Sequence, residues 1–201
     1  MLPVQLAVEP DDFDSEVRQP GTVYLNSLPS LVDVKFEGRK YWRRSMVQLR
    51  QAYSCICAYT CHWVALDVGG NSVEHFVPKH LDASRAYEWS NFRFVASRLN
   101  ARRGIKTIID PFLVQQDMFE IDFPTLLVGV SAAHSGNTLL QDTIKILKLN
   151  DDKIIVSRDY YVRYYANNDI SIKFLRENAP LIHREIKRQK LLRRDLRSMG
   201  F

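Results

Sequence analysis

Between Val64 and Gly104 the apolar residues change their period, and that change restricts the fold more than any other feature of the chain. Val64–Val68 and Ser72–Val77 are short runs separated by Gly69-Gly70-Asn71, a pattern that predicts a β-hairpin. Phe92, Val95, Ala96 and Leu99 then recur at i, i+3, i+4 and i+7. That spacing predicts a helix, capped by Ser90 and closed by Gly104. Two strands followed by a helix make a compact ββα unit, with Glu74 and His75 on a strand and Asn100 on the helix.

Around this unit the signals are mixed. Residues 1–38 read as an acidic N-terminal arm with short strands, for example Thr22–Leu25, and turns at Pro10, Pro20-Gly21 and Pro29. Trp42, Met46, Leu49 and Tyr53 predict a helix with a basic outer face, packed beneath the ββα unit. Residues 39–112 form the core, and residues 113–201 a mostly helical C-terminal region. In that region Phe119–Val130 reads as a strand or two and Thr138–Leu149 as a helix, while Ile154–Tyr165 is open between strand and helix. Ile170–Arg197 reads as helical apart from a break at Ala179-Pro180, where Pro180 starts a second helix. The expected fold class is α+β, mostly helical.

Charge is unevenly spread. Residues 1–37 hold seven acids and two bases, whereas Arg39, Lys40, Arg43, Arg44 and Arg50 form a run with no acid. Residues 176–197 add eight bases against three acids, beside an overall net charge of +5. Such basic surface suits a polyanionic partner, although the C-terminal run taken alone reads as solvated helix faces. Three cysteines, Cys55, Cys57 and Cys61, are too few and too close for a disulfide framework and suit a reducing, cytoplasmic setting. The start lacks the basic and apolar regions of a secretion signal, and no apolar run reaches the ~18 residues that span a bilayer. No membrane association is expected.

Glu74, His75, Asn91 and Asn100, with Lys79, Arg98, Arg102 and Arg103 nearby, offer the chemistry of phosphodiester hydrolysis. A neutral imidazole can take a proton from water, and carboxylate and amide oxygens can hold a hard divalent cation. Arginine forks and lysines can hold phosphates. One constraint stands out: adjacent strand residues point to opposite faces, so Glu74 and His75 need a local distortion to serve one site.

The segments Cys57-Ala58-Tyr59-Thr60-Cys61, Val73-Glu74-His75-Phe76-Val77-Pro78-Lys79, Tyr87-Glu88-Trp89-Ser90-Asn91 and Asn100-Ala101-Arg102-Arg103-Gly104 together resemble an HNH endonuclease of the ββα-metal superfamily. The match covers residues 57–111 and is similar to the branch found in Septu-type and retron-linked bacterial anti-phage systems. The resemblance implies that His75 is the general base, Asn91 orients it, and Glu74 and Asn100 hold Mg²⁺ or Mn²⁺. It further implies a nuclease core over residues 39–112, cleavage of DNA in preference to RNA, and a defence role beside an ATPase partner. Lys79, Arg98, Arg102 and Arg103 would touch the nucleic acid.

The chain departs from that branch at its second cysteine pair, where Ala96 and Leu99 stand. Cys57 and Cys61 alone cannot close a tetrahedral zinc site, so no structural zinc is expected, and the thiols read as small buried hydrophobes. The loss leaves room for an alternative, a catalytically inactive HNH-like module that binds nucleic acid or a partner; a zinc-holding interaction domain is a third and weaker reading. Gly129–Thr138 lacks the lysine and spacing of a phosphate loop. Tyr160, Tyr161, Tyr164 and Tyr165 could stack on bases but read as core or interface.

Overall fold

The computed structural model describes residues 1–66 and 70–201 as an α+β chain with two small antiparallel sheets. Two compact units are separable. One, here the hairpin unit, comprises Gln5–Cys55 and Val64–Asn100; the other, the helical unit, comprises Met1–Val4, Ile56–Trp63 and Ala101–Phe201.

In the hairpin unit the N-terminal residues are helical rather than extended. A π-helical turn at Asp14–Arg18 leads into α1 (Gln19–Asn26), so the strand expected over Thr22–Leu25 is not formed. Phe13, Val17, Gly21 and Leu25 are buried at four-residue spacing, and Pro20 sits in the first turn of α1, where it needs no amide partner. The helical stripe outweighs the strand propensity of Thr-Val-Tyr. Phe13 lies edge-on to Trp89 and Phe92 at 5.3 and 5.7 Å, and the Trp89 indole donates to the Ala7 carbonyl at 2.8 Å. Arg18 bridges Glu9, Asp14 and Glu88. These contacts tie residues 5–26 into the hairpin unit.

A 3-10 turn at Tyr41–Ser45 and α2 (Met46–Ala52) replace the single expected helix, with Trp42 and Leu49 inward. Arg50 also turns inward, donating to the Val64 carbonyl at 2.6 Å and Asn71 Oδ1 at 2.9 Å, so it is not part of a basic outer face. α2 packs on both strands of the sheet.

The hairpin forms with a different partner. β1 (Asn71–His75) pairs antiparallel with β2 (Phe92–Ala96), in register from Asn71↔Ala96 to His75↔Phe92. Residues 64–66 are irregular, and residues 67–69 of the expected first strand and turn lie outside the described residues. Phe92–Ala96 was expected to be helical. Both faces of this run are buried, including Arg93 at 4% exposure, so the apolar spacing fits strand and helix alike. Arg93 is accommodated by bonds from Nη1 to the Ser90 and Phe92 carbonyls at 2.8 and 3.0 Å and by the Phe76 ring at 5.1 Å. The helix α3 (Ser97–Arg103) starts at Ser97 instead of Ser90 and ends at Gly104, whose φ of +53° is the left-handed closure expected there.

In the helical unit β3 (Phe119–Asp122) and β4 (Leu127–Val130) form the second sheet. α4 (Thr138–Leu147) packs on β4 with Leu140, Thr143 and Leu147 buried. The ambiguous stretch is a helix, α5 (Asp152–Ala166), followed by α6 (Ile172–Asn178), α7 (Pro180–Arg188) and α8 (Arg193–Ser198). Pro180 starts α7 as its missing amide requires. Glu185 on α7 is fully buried and accepts from the Ile121 amide at 3.1 Å, Arg188 at 2.7 Å and Gln189 at 3.1 Å. Arg158 on α5 is likewise buried, held by the Leu126 and Leu149 carbonyls at 2.9 and 2.7 Å. Tyr165 is core, whereas Tyr160 and Tyr164 are exposed and stack on each other at 6.2 Å.

Cys57 and Cys61 are buried and not joined in a disulfide, and burial pushes the Cys61 thiol up, away from the thiolate. The neighbouring His62 is packed against Tyr161 at 5.2 Å, with Ser157 Oγ 3.2 Å from Nδ1. Burial, aided by the charges of Arg158 and the N-terminus, lowers its pKa from 6.5 to about 3. The folded form therefore excludes a proton that the unfolded chain binds below pH ~6.5. Stability from this group is complete above that pH and is lost toward pH 3, at roughly 1.4 kcal/mol per pH unit inside the window. Urea denaturation between pH 7 and 5 should show this slope added to the like contribution of the buried His75, and His62→Gln should lessen the total by roughly 1.4 kcal/mol per pH unit while leaving the His75 share. A wild-type stability independent of pH across that range would exclude a neutral buried His62.

Candidate active site

The site grows from the end of β1. His75 is its last residue, and the ladder is prolonged one step by the Phe76 amide, which donates to the Asn91 carbonyl at 2.9 Å. Val77, in the bend that follows β1, is then gripped by the Asn91 side chain. Asn91 Oδ1 accepts from the Val77 amide at 2.7 Å, while Nδ2 donates to the Val77 and Arg85 carbonyls, both at 3.0 Å. Asn91 ends a 3-10 turn at Trp89–Asn91, ahead of β2 and α3, and is 1% exposed. One amide thus fixes both arms of the loop that joins the strands.

The His75 ring is 6% exposed and edge-on to Trp42 at 4.7 Å and to Phe92, its cross-strand partner, at 5.1 Å. Its Nε2 lies 2.9 Å from the Ala86 carbonyl. A carbonyl only accepts, so Nε2 carries the hydrogen and Nδ1 keeps the lone pair. Burial, and next the Lys79 charge, lower the imidazole pKa from 6.5 to about 3, so the ring is neutral at physiological pH. Lys79 Nζ lies 3.3 Å from Nδ1 and 4.9 Å from the Trp42 ring centroid. Burial lowers the Lys79 pKa, and the nearby Glu74 carboxylate opposes that shift.

Glu74 is 1% exposed and sits opposite Arg93 in the register. Asn100, on α3, donates from Nδ2 to Ser72 Oγ and to the Val73 carbonyl at 3.4 Å. Its Oδ1 accepts no hydrogen bond from a described residue. Ser72 and Glu74 share one face of β1, and His75 follows on the other. The strand is regular through His75, without the distortion that a single-face arrangement required. The structure therefore gathers His75, Lys79 and Trp42 on one side and Glu74, Ser72 and Asn100 on the other. Lys79 links them, bonded to the imidazole and in the field of the carboxylate.

The arginines on α3 diverge. Arg98 is exposed, and Arg103 is 4% exposed. Arg102 pairs with Asp151 at 2.7 Å and also donates to the Leu147 and Lys148 carbonyls, both at 3.2 Å. Its guanidinium closes the end of α4. Trp42 and the Ala86 carbonyl are essential to the imidazole's setting and were missed as site components. Trp42 carried only an apolar-periodicity signal, and a backbone carbonyl carries none.

No protein-family model matches the chain, and no curated protein matches it in sequence. The case for any chemistry rests on the arrangement itself.

The donor set can be tested for a cation. Among the described residues no group of three or more His, Cys, Asp or Glu could hold a metal ion. Glu74 and Asn100 offer two ligand side chains, too few for a closed cage. A hydrated magnesium-like ion, which keeps waters and accepts substrate phosphates, needs no more protein ligands than that. The Lys79 ammonium near Glu74 is a stand-in of the right sign. The oxygen chemistry of the Glu74 carboxylate and the Asn100 amide is of the kind that hard divalent cations take.

Proposed function

We propose that the hairpin unit is an HNH-type, metal-dependent endonuclease site that hydrolyses nucleic-acid phosphodiesters, DNA in preference to RNA. One observation carries the reading: a neutral imidazole, its Nε2–H held by the Ala86 carbonyl, keeps Nδ1 as a proton acceptor at the end of a hairpin pinned by Asn91. In this reading His75 takes the proton from the attacking water. Asn91 positions the loop, and Glu74 and Asn100 are the oxygen ligands. Bound there, Mg²⁺ or Mn²⁺ supplies charge stabilisation at the phosphate. Lys79 moves off Nδ1 to meet the substrate phosphate. Arg98 is the one α3 arginine exposed enough to join it. The sequence resemblance extends the proposal to an anti-phage effector restrained by an ATPase partner. Among the described residues no helix is long and apolar enough to cross a membrane.

A second reading, an inactive module that binds nucleic acid or a partner, is favoured by two facts: Lys79 already occupies the Nδ1 lone pair of a buried ring, and the undistorted β1 sets Glu74 and His75 on opposite faces. Incubating the protein with plasmid, single-stranded DNA and total RNA separates the two. Mg²⁺, Mn²⁺ and EDTA are compared, with and without a candidate ATPase. Metal-dependent cutting is expected, and Asn100→Ala should raise the metal concentration for half-maximal cutting by about tenfold. An unchanged metal response removes Asn100 as a ligand. Absence of cutting in every arm leaves the binding module.

A further inference from the structure

Beside the site, Glu37, Gly38, Lys40, Tyr41, Arg43 and Arg44 line a hollow of about 510 Å³ in the hairpin unit. Tyr41 is the aromatic residue of its lining, and an aromatic cluster lies behind it. Trp42 packs on Phe36 at 5.5 Å and on Tyr87 at 5.7 Å, and Tyr41 lies 5.8 Å from Tyr87. Cations are seated on this cluster: Arg44, also paired with Glu16 at 3.4 Å, lies 5.0 Å from the Tyr41 ring, Arg39 5.4 Å from Tyr24 and Lys79 4.9 Å from Trp42. Tyr41 Oη is a further partner of Arg39 at 3.2 Å. The rings hold these charges in place before any ligand arrives.

Lys40 and Arg43 differ from the others. Both are exposed, and the side chain of neither has a hydrogen bond or ion pair among the described residues. Glu37 is the one acid of the lining, against Lys40, Arg43 and Arg44. Lys40 is close enough to Lys79 for its charge to be felt there. Crowded like charges oppose one another, and a polyanion relieves that repulsion while releasing its own counterions.

We infer that Lys40, Arg43 and Arg44 form a ledge that carries the phosphates flanking the scissile one, so that a polynucleotide strand runs over Tyr41 and reaches His75 past Lys79. The inference deepens the nuclease reading and rests on it for the strand's direction. The ligand chemistry is a run of phosphodiesters, common to DNA and RNA. The Arg44 guanidinium laid over the Tyr41 ring favours a polynucleotide over an acidic peptide, because bases stack on a guanidinium plane and carboxylate side chains do not.

Binding is measured on the full chain in EDTA, where no cutting intervenes, by fluorescence anisotropy. Labelled duplex DNA, single-stranded DNA and RNA of one length are the probes, across a KCl series. The Lys40→Ala/Arg43→Ala double variant should bind about tenfold more weakly. Its log Kd against log salt should be shallower by roughly 1.8 on duplex and 1.4 on single strands, the loss of two phosphate contacts. Both residues are exposed and unpartnered, so the melting temperature should match the parent and separate docking from folding. An unchanged affinity and salt slope on all three probes overturns the ledge, as does equal competition by polyglutamate of matched charge. Lost binding with no metal-dependent cutting by the parent keeps the ledge and removes the nuclease reading. Cutting by the parent with unchanged binding in the double variant does the reverse.

Discussion

His75→Gln should lower the rate of nucleic-acid cutting by about three orders of magnitude, within the range general-base loss produces. Glutamine can still donate to the Ala86 carbonyl from its amide, but it cannot accept a proton from water. It also fills much of the space between Trp42 and Phe92, which alanine would leave empty. A cavity there would cost on the order of 2–4 kcal/mol and confuse lost chemistry with lost structure. The expected signature is therefore a deep fall in single-turnover rate, with urea midpoint and DNA affinity near those of the parent. Cutting within threefold of the parent would exclude His75 from proton transfer. Parallel loss of rate, midpoint and affinity would instead mark the residue as structural.

The side-chain types of this site were legible in the sequence; their settings were not. Glu74 and His75 stand on a strand of a hairpin as the reading had them, whereas Asn91, expected between the hairpin and the helix, lies between the two strands, ahead of β2. The second strand was hidden. Phe92, Phe94 and Val95 are buried on both faces, and Arg93 is buried among them, so strand alternation never appears. The same residues satisfy a helical stripe, and a helix read from Phe92 steals the strand that β1 needs. The N-terminal helix was hidden for the opposite reason. Thr22, Val23 and Tyr24 favour strands locally, and only the stripe Phe13, Val17, Gly21 and Leu25 reveals the helix. In the helical unit, Pro180 was a sufficient signal, since a missing amide and fixed φ leave few alternatives. Arg102 looked like its neighbour Arg98 in sequence, yet α4 ends within its reach and takes it as a cap. No local pattern encodes that meeting.

Asn91→Ala should be the most damaging single change for the hairpin unit. It strips three hydrogen bonds from a position 1% exposed, leaving the Val77 amide and the Val77 and Arg85 carbonyls without that partner. Leaving a buried polar group unsatisfied costs about 1–3 kcal/mol, so the loss should total roughly 3–5 kcal/mol after partial rescue by water. Aspartate should rescue little, because its second oxygen would face two carbonyls where the amide donates. The consequence for chemistry follows from which backbone groups are held. Val77 lies two residues after His75, and Arg85 directly precedes Ala86, whose carbonyl sets the imidazole tautomer. Freeing both arms lets the acceptor drift from Nε2 and Lys79 drift from Nδ1. Urea denaturation should read the stability loss, and amide hydrogen exchange at Val77 should rise even under conditions where the unit stays folded. A loss below ~1 kcal/mol, with Val77 still protected, would mean that the loop is held by other contacts. Cutting measured well below the denaturation midpoint should fall further than the folded fraction does, because Asn91 positions the base as well as stabilising the loop. Activity that tracks the folded fraction alone would reduce Asn91 to a purely structural residue.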